Sequence, residues 1–251
     1  MTSPLDPRQG HNVLIRKLES ISPLSDGEKQ CLFNLPLSIE QVGPDQDIVR
    51  EGDHPTHCCL VIEGFTCRYK FTEEGKRQIF SFHTPGDIPD LQSLHLKVMD
   101  HSLKTLTPCK VAFIAHDSIT DLNRRCPRVA DVLWRDTLID AAIFREWLLG
   151  VGRRSAYTRI AHLLCEVFMR LAAVGLTNGS ECDFPITQTE IADALGLSTV
   201  HVNRSIQELR AAGLIDLRRS ALTILDWDGL TRAGEFDPAY LHIARDVGTA
   251  A

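Results

Sequence analysis

The sequence predicts an α+β protein of three consecutive parts. These are an N-terminal antiparallel β jelly-roll or barrel over residues 1–126, a long helix over 127–151, and a C-terminal winged helix-turn-helix domain over 152–251. Three observations carry this reading. Gly52, Gly64, Gly75 and Gly86 recur at intervals of twelve, eleven and eleven, with short β-rich runs between them, as expected of evenly spaced strands closed by turns. From Pro127 to about Val151 there is no internal proline and only one late glycine, while apolar residues come to cover nearly every side. Residues 186–210 read as two short capped helices across a tight turn.

Taken in order, Asn12 to Ser20 forms an amphipathic helix through Val13, Ile15 and Leu18. Strands follow at Cys58–Ile62, Phe65–Phe71 and Arg77–Phe82, the last two joined by a turn at Glu73-Glu74-Gly75-Lys76. Two more are expected near Ser102–Leu106 and Lys110–Ile114. Residues 1–10 are polar and proline-rich with no signal-peptide core, and no run of 18 apolar residues exists, so a cytoplasmic protein without a membrane span is expected.

The eight cysteines, at 31, 58, 59, 67, 109, 126, 165 and 182, contain no CxxC pair. Most are expected to be small buried apolar residues in a reducing compartment. One cluster of soft ligands stands out, His54-x-x-His57-Cys58-Cys59. A metal or redox site there is weakened by the alternation of a strand, which sends Cys58 and Cys59 to opposite faces.

The long helix, roughly six turns, begins amphipathic through Val129, Val132 and Leu133. Beyond Leu138 it is apolar all round. Such a helix must be buried all round. One face packs on the barrel, and a copy of the same helix is the simplest cover for the other. A homodimer with Val132, Ile139, Ile143 and Trp147 at the interface is therefore expected.

In the C-terminal part, Thr187 and Glu190 make a capping box, so a helix begins near Gln188. Gly196 suits a left-handed cap and Ser198 caps the next helix. Ile191 and Leu195 form one apolar stripe; Val202, Ile206 and Leu209 form another. Thr199, Val200, His201, Asn203 and Arg204 then lie on the exposed N-terminal face of the second helix, the arrangement that reads bases in a major groove. After Gly213, Leu214–Leu225 reads as two strands around a basic turn, a wing whose Arg218 and Arg219 meet phosphates together with Thr187, Gln188 and Ser198 at helix starts. The formal net charge of −6 opposes this at first sight, yet residues 152–220 hold eight arginines against seven acids. A local patch, not the whole-chain charge, is what DNA senses.

In this order the parts resemble the Crp/Fnr family of bacterial transcription regulators over nearly the whole chain. The matches are Val49-Arg50-Glu51-Gly52-Asp53, Val61-Ile62-Glu63-Gly64, Pro85-Gly86-Asp87, and Thr187-Gln188-Thr189-Glu190-Ile191-Ala192 with Asn203-Arg204 and Leu209. The resemblance implies a homodimer on a two-fold-symmetric double-stranded DNA site, working with RNA polymerase and responding to a signal at the barrel.

Members that bind cyclic AMP carry Gly-Glu-Leu after Gly-Asp and an Arg-Ser pair about ten residues on. Here Ile88-Pro89-Asp90-Leu91 stands instead, and no arginine occurs from Asp90 to Leu103. A cyclic phosphate loses its bidentate partner, for which Lys97 or Lys104 substitute only as point charges. The closely spaced N-terminal cysteines of iron–sulfur relatives are absent from residues 1–30. Haem ligation by His83, His95 or His101 stays open, and the effector is unknown. Thr199 and Val200 replace the family's frequent Arg and Glu, so its usual half-site is not expected. A cupin-type enzyme is disfavoured because no His-x-His occurs. A sensor module regulating a protein partner is disfavoured by the winged helix.

Overall fold

The computed structural model describes residues 7–244. The chain divides into two compact units, Met1–Lys70 with Phe82–Leu138, and Phe71–Ser81 with Ile139–Ala251.

The first unit opens with helix α1 (Pro7–Glu19), whose Val13, Leu14, Ile15 and Leu18 are buried, and α2 (Asp26–Phe33), begun by a Ser25–Glu28 capping box. The strands are β1 (Ser38–Val42), β2 (Asp47–Val49), β3 (His57–Glu63), β4 (Thr66–Phe71), β5 (Arg77–His83), β6 (Ser102–Thr105) and β7 (Cys109–Ala115). They form two antiparallel sheets, ordered β1-β7-β3 and β2-β6-β4-β5. Val49 and Leu103 from one sheet meet Cys59, Cys109 and Val111 from the other in a shared core with Met99. This is the expected double-sheet barrel.

The four periodic glycines all take positive φ, from +76° to +99°. At Gly64 a Cβ would fall 2.6 Å from the Pro108 carbonyl oxygen, so the turn needs glycine for space as well as for φ.

Helix α3 (His116–Arg125) and the long α4 (Pro127–Arg153) follow. The compact division falls inside α4, at Leu138/Ile139. The second unit is built on α5 (Ala156–Ala173), which is buried on nearly all sides and packs against α6 (Gln188–Leu195), α7 (Thr199–Ala211) and α8 (Trp227–Gly234). Short strands β8 (Thr177–Asn178) and β9 (Glu181–Asp183) extend the hairpin of β10 (Ile215–Arg218) and β11 (Ala221–Ile224) into a four-stranded antiparallel sheet. The segment 71–81 joins this unit through Arg77, whose Nε donates to the Asp193 carboxylate at 2.8 Å.

Two expectations are corrected here. Val132, Ile139, Ile143 and Trp147, expected at a dimer interface, are covered within their own chain, at 1, 5, 6 and 8% exposure. Trp147, for instance, donates its indole N–H to Glu166 on α5. The apolar side chains that α4 leaves exposed are Trp134, Leu138, Leu148, Leu149 and Val151. Most of the cysteines are buried as expected, and the correction is the disulfide. Cys58, Cys59, Cys67, Cys109, Cys165 and Cys182 are buried free thiols, but Cys31 and Cys126 form a disulfide across 95 residues of sequence.

Candidate nucleic-acid interface and sensor pocket

Helix α6 begins where side-chain oxygens replace the missing helical acceptors. Thr187 Oγ1 accepts from the Glu190 N–H at 3.2 Å, and the Glu190 carboxylate accepts from the Thr187 N–H at 2.6 Å. Gly196 ends the helix at φ 63°, ψ 41°, a left-handed cap that costs glycine nothing. Two residues later Ser198 Oγ accepts from the His201 N–H and starts α7. Ile191, Leu195, Val202, Ile206 and Leu209 are all buried, so both stripes turn inward as their spacing predicts.

The opposite face of α7 is open. Thr199, Val200, His201, Asn203 and Arg204 are all exposed, with Val200 at 74% and the Arg204 side chain at 76%. Three contacts hold this face in register. Asn203 Nδ2 donates to Gln188 Oε1 at 3.2 Å, tying the two helices across the turn. His201 Nδ1 lies 3.1 Å from Ser198 Oγ, and Arg204 Nε donates to Glu208 at 2.8 Å, one turn along. That i, i+4 pair stabilises the helix by only a few tenths of a kcal/mol, so a stronger acceptor can take the guanidinium away.

Thr187, Gln188, Ser198, Arg218 and Arg219 are exposed as well. Arg219 and Ser220 form the two-residue wing turn with φ of 50° and 67°, the positive pair that suits a tight antiparallel hairpin. Arg218 Nε donates to Asp216 at 2.9 Å, and Arg210 lies 3.5 Å from the same carboxylate. Asp216 therefore orients two guanidinium groups at the base of the wing. Sequence reasoning missed it; its alternation with Arg218 along β10 was the available signal.

Behind α7, a buried polar network that sequence reasoning also missed fixes α5 and α8. Glu166, fully buried, accepts from Trp147 Nε1 and from the Tyr240 hydroxyl at 2.8 Å, with Arg170 at 3.5 Å. Burial pushes its carboxyl upward against those donors. His162, whose ring burial holds it toward the neutral form, meets the Gly234 carbonyl and the Tyr240 hydroxyl at 3.0 Å each.

In the barrel, Pro85-Gly86-Asp87 proves to be a packed corner. Asp87 accepts from the Thr84 N–H at 2.9 Å and pairs with Lys17 of α1 at 2.9 Å. Beyond it, the Asp90 carboxylate is buried and accepts from the Cys59 N–H at 2.7 Å. Burial lifts this carboxyl to about 7, against the pull of that N–H and of Arg68. Arg68, on β4 and 5% exposed, donates through Nε to the Pro89 carbonyl. The buried arginine near this corner thus comes from β4 and not from residues 90–103. Lys97 donates to the Leu94 carbonyl, and Lys104 pairs with Asp45.

His54 and His57 line a cavity of about 690 Å3 with Glu40, Asp53 and Asp90, whereas Cys58 Sγ turns inward to the Asp90 carbonyl and Ser93 Oγ. Among the described residues no group of three or more His, Cys, Asp or Glu side chains is placed to hold a metal ion. His83 lies 3.6 Å from Asp87, and His101 is paired with Asp100 at 2.7 Å. No described helix is long and apolar enough to cross a membrane.

Comparison with known proteins agrees with both halves of this geometry. Residues 39–126 match the family model of the cyclic nucleotide-binding domain, and residues 158–233 that of the Crp-like helix-turn-helix domain. The chain is 29% identical over 175 residues to the transcriptional activator protein FnrL of Cereibacter sphaeroides, covering 68% of this chain and 70% of that protein. It is 27% identical over 185 residues to the nitrogen fixation regulation protein FixK of Rhizobium meliloti, covering 73% and 80%. The solved structure of FixK2 from Bradyrhizobium japonicum superposes with a TM-score of 0.72 at 23% identity, over 79% of this chain and 98% of that one. With both family models matched in order, and relatives that align across both, the chain belongs to the Crp/Fnr family of transcription regulators.

Proposed function

We propose that this regulator acts in the cytoplasm as a homodimer on a two-fold-symmetric duplex site and there meets RNA polymerase. In this reading Thr199, Val200, His201, Asn203 and Arg204 read bases, while Thr187, Gln188, Ser198, Arg218 and Arg219 hold phosphates. The observation that carries it is the exposed N-terminal face of α7, polar and registered by Asn203–Gln188, above a buried stripe. Arg204 reaches a guanine edge by leaving Glu208. Thr187 and Ser198 keep their hydroxyls on their own helix starts, so they position α6 and α7 for the backbone as much as they touch it. Two-fold symmetry places the half-sites about one helical turn apart. The exposed Trp134, Leu138, Leu148 and Leu149 of α4 support a second copy as their cover.

The barrel responds to something other than a cyclic nucleotide. Arg68 is committed to the Pro89 carbonyl, Lys97 and Lys104 are committed elsewhere, and the buried Asp90 carboxyl adds negative rather than positive charge to the barrel once ionised.

Binding series on cognate and scrambled duplexes at several salt concentrations test the interface. Arg204→Ala should cost about 1–3 kcal/mol on the cognate site and relax preference at one position per half-site. Arg218→Ala should weaken all sequences alike and flatten the salt slope by about one. If Arg204→Ala leaves discrimination intact while Arg218→Ala abolishes it, reading and anchoring are assigned the wrong way round.

A further inference from the structure

Helix α2 and the α3–α4 junction are 95 residues apart in sequence, yet Cys31 and Cys126 meet there with their Cα atoms 6.7 Å apart. They differ from the other six cysteines in one respect that matters for reactivity. Both are only half-buried, whereas the six free cysteines are all buried. Oxidation of a thiol needs an approaching oxidant and a thiolate, so accessibility selects this pair. Burial also holds several of the others in the protonated state, with Cys165 and Cys182 pushed up to about 12.

The position of Cys126 gives the bond a mechanical meaning. Its N–H closes α3 on the Leu122 carbonyl at 2.8 Å, and its own carbonyl accepts from Val129 at 2.9 Å in the first turn of α4. It is the single residue joining the two helices. Cys31 lies on α2, a short helix of eight residues. Without the bridge, Arg128 at the start of α4 reaches α2 only through Glu28 at 4.0 Å, and donates to Ser22 Oγ, in the segment before α2, at 3.0 Å. Those are polar contacts at a partly open surface. The bridge adds a covalent constraint where these polar ones are weak.

We propose that Cys31 and Cys126 form a reversible thiol–disulfide modification site that staples α2 to the α3–α4 junction when the protein is oxidised and frees it when reduced. The oxidant is a hydroperoxide. One thiolate attacks a peroxide oxygen, the O–O bond breaks, and a sulfenic acid and the first hydroxide leave the encounter; the second thiolate then displaces hydroxide from that sulfur as the S–S bond forms. The two hydroxides take up the two thiol protons, so two thiols and one hydrogen peroxide give one disulfide and two waters. A dithiol reductant reverses the reaction through a mixed disulfide and is itself oxidised. The proposal is independent of the DNA-binding reading and rests on the cytoplasmic one only for its resting, reduced state.

The test uses the full-length protein without DNA. Reduced protein is treated with hydrogen peroxide, remaining thiols are alkylated under denaturing conditions, and peptides are mapped by mass. The expected product is one species lacking two hydrogens, with Cys31 linked to Cys126 and the other six cysteines alkylated. Dithiothreitol without denaturant restores both thiols. Amide exchange in Asp26–Phe33 is slower in the oxidised than in the reduced protein, and that difference vanishes in Cys31→Ser and in Cys126→Ser. A bridge between other cysteines, no bridge at all, or a bridge that dithiothreitol opens only after unfolding overturns the proposal. So does a bridge that leaves exchange in α2 unchanged. In a separate binding series, failure to bind duplex in both the oxidised and the reduced state would strike the DNA-binding reading and leave this one standing.

Discussion

Replacing Asp90 by asparagine removes an acidic proton that the barrel buries just beyond the Pro85-Gly86-Asp87 corner, and the effect on stability can be worked from the structure. Asp90 is almost completely enclosed; its carboxylate accepts from the Cys59 N–H and interacts with Arg68 and with the Cys58 and Cys59 thiols. Burial raises its carboxyl from an ordinary 3.8 to about 7. Below about pH 4 the group is protonated both folded and unfolded, and the barrel carries no penalty. As pH rises from there to 7 the unfolded chain releases the proton while the folded one keeps it, so stability falls by about 1.4 kcal/mol per pH unit. The full loss, reached above the folded value, is on the order of 4 kcal/mol. The amide of Asp90→Asn keeps an oxygen for the Cys59 N–H and carries no charge at any pH. Urea unfolding of wild type and Asp90→Asn from about pH 5 to pH 8 should therefore show the variant gaining on the wild type as pH rises. His116 and His162, whose burial lowers them, act in the opposite sense, gaining stability with pH, but they titrate in both proteins and cancel in the difference. A difference between the two proteins that stays constant across this range would refute the reasoning. It would mean that Arg68 holds Asp90 ionised throughout.

Two further outcomes follow from packing. Gly234→Ala places a Cβ 2.7 Å from the His162 backbone nitrogen and 3.0 Å from the Ala161 carbonyl carbon, so α8 must shift from α5 at a cost of about 1–3 kcal/mol, read as a lower urea midpoint with duplex specificity retained by the folded fraction. Leu138→Asp, at a half-exposed position, should leave the folded monomer intact and shift sedimentation from dimer to monomer, whereas Ile143→Asp, at 6% exposure, should destabilise the fold itself by several kcal/mol; a Leu138→Asp protein that stays dimeric at micromolar concentration would remove this face of α4 from the interface.

The segments that could be read from sequence are those whose structure is decided locally. Thr187, Glu190, Gly196 and Ser198 act within four residues of themselves, and each takes the cap its type implies. The turn at residues 73–76 and the glycine periodicity are equally local, and β4 and β5 flank that turn within a residue of expectation. What could not be read depends on distant partners. Helix α5 carries no motif, and its Arg159, His162, Glu166 and Arg170 stripe at helical spacing reads as a solvent face, although His162, Glu166 and Arg170 are buried. Strands β1 and β2 are short and largely exposed, and pairing with β7 and β6 defines them more than their own pattern does. Glu166 looks like any surface acid until Trp147, Arg170 and Tyr240 close around it. The disulfide pairs one cysteine with another 95 residues away, which composition cannot indicate.

Helix α4 shows the limit most clearly. Its composition states that it must be covered, and coverage by two different agents leaves the same apolar signature. Ile139, Ile143 and Trp147 are covered by the chain itself, with Trp147 further committed by its N–H to Glu166. Trp134, Leu138, Leu148 and Leu149 are equally apolar but remain open, so they are the residues that the proposed second copy would cover. Hydrophobicity cannot rank the two sets, because transfer from water rewards both alike. Only the positions of the neighbouring helices separate them. Charge substitution at Leu138 and at Ile143 converts that geometric difference into two distinct losses, assembly in one case and folding in the other.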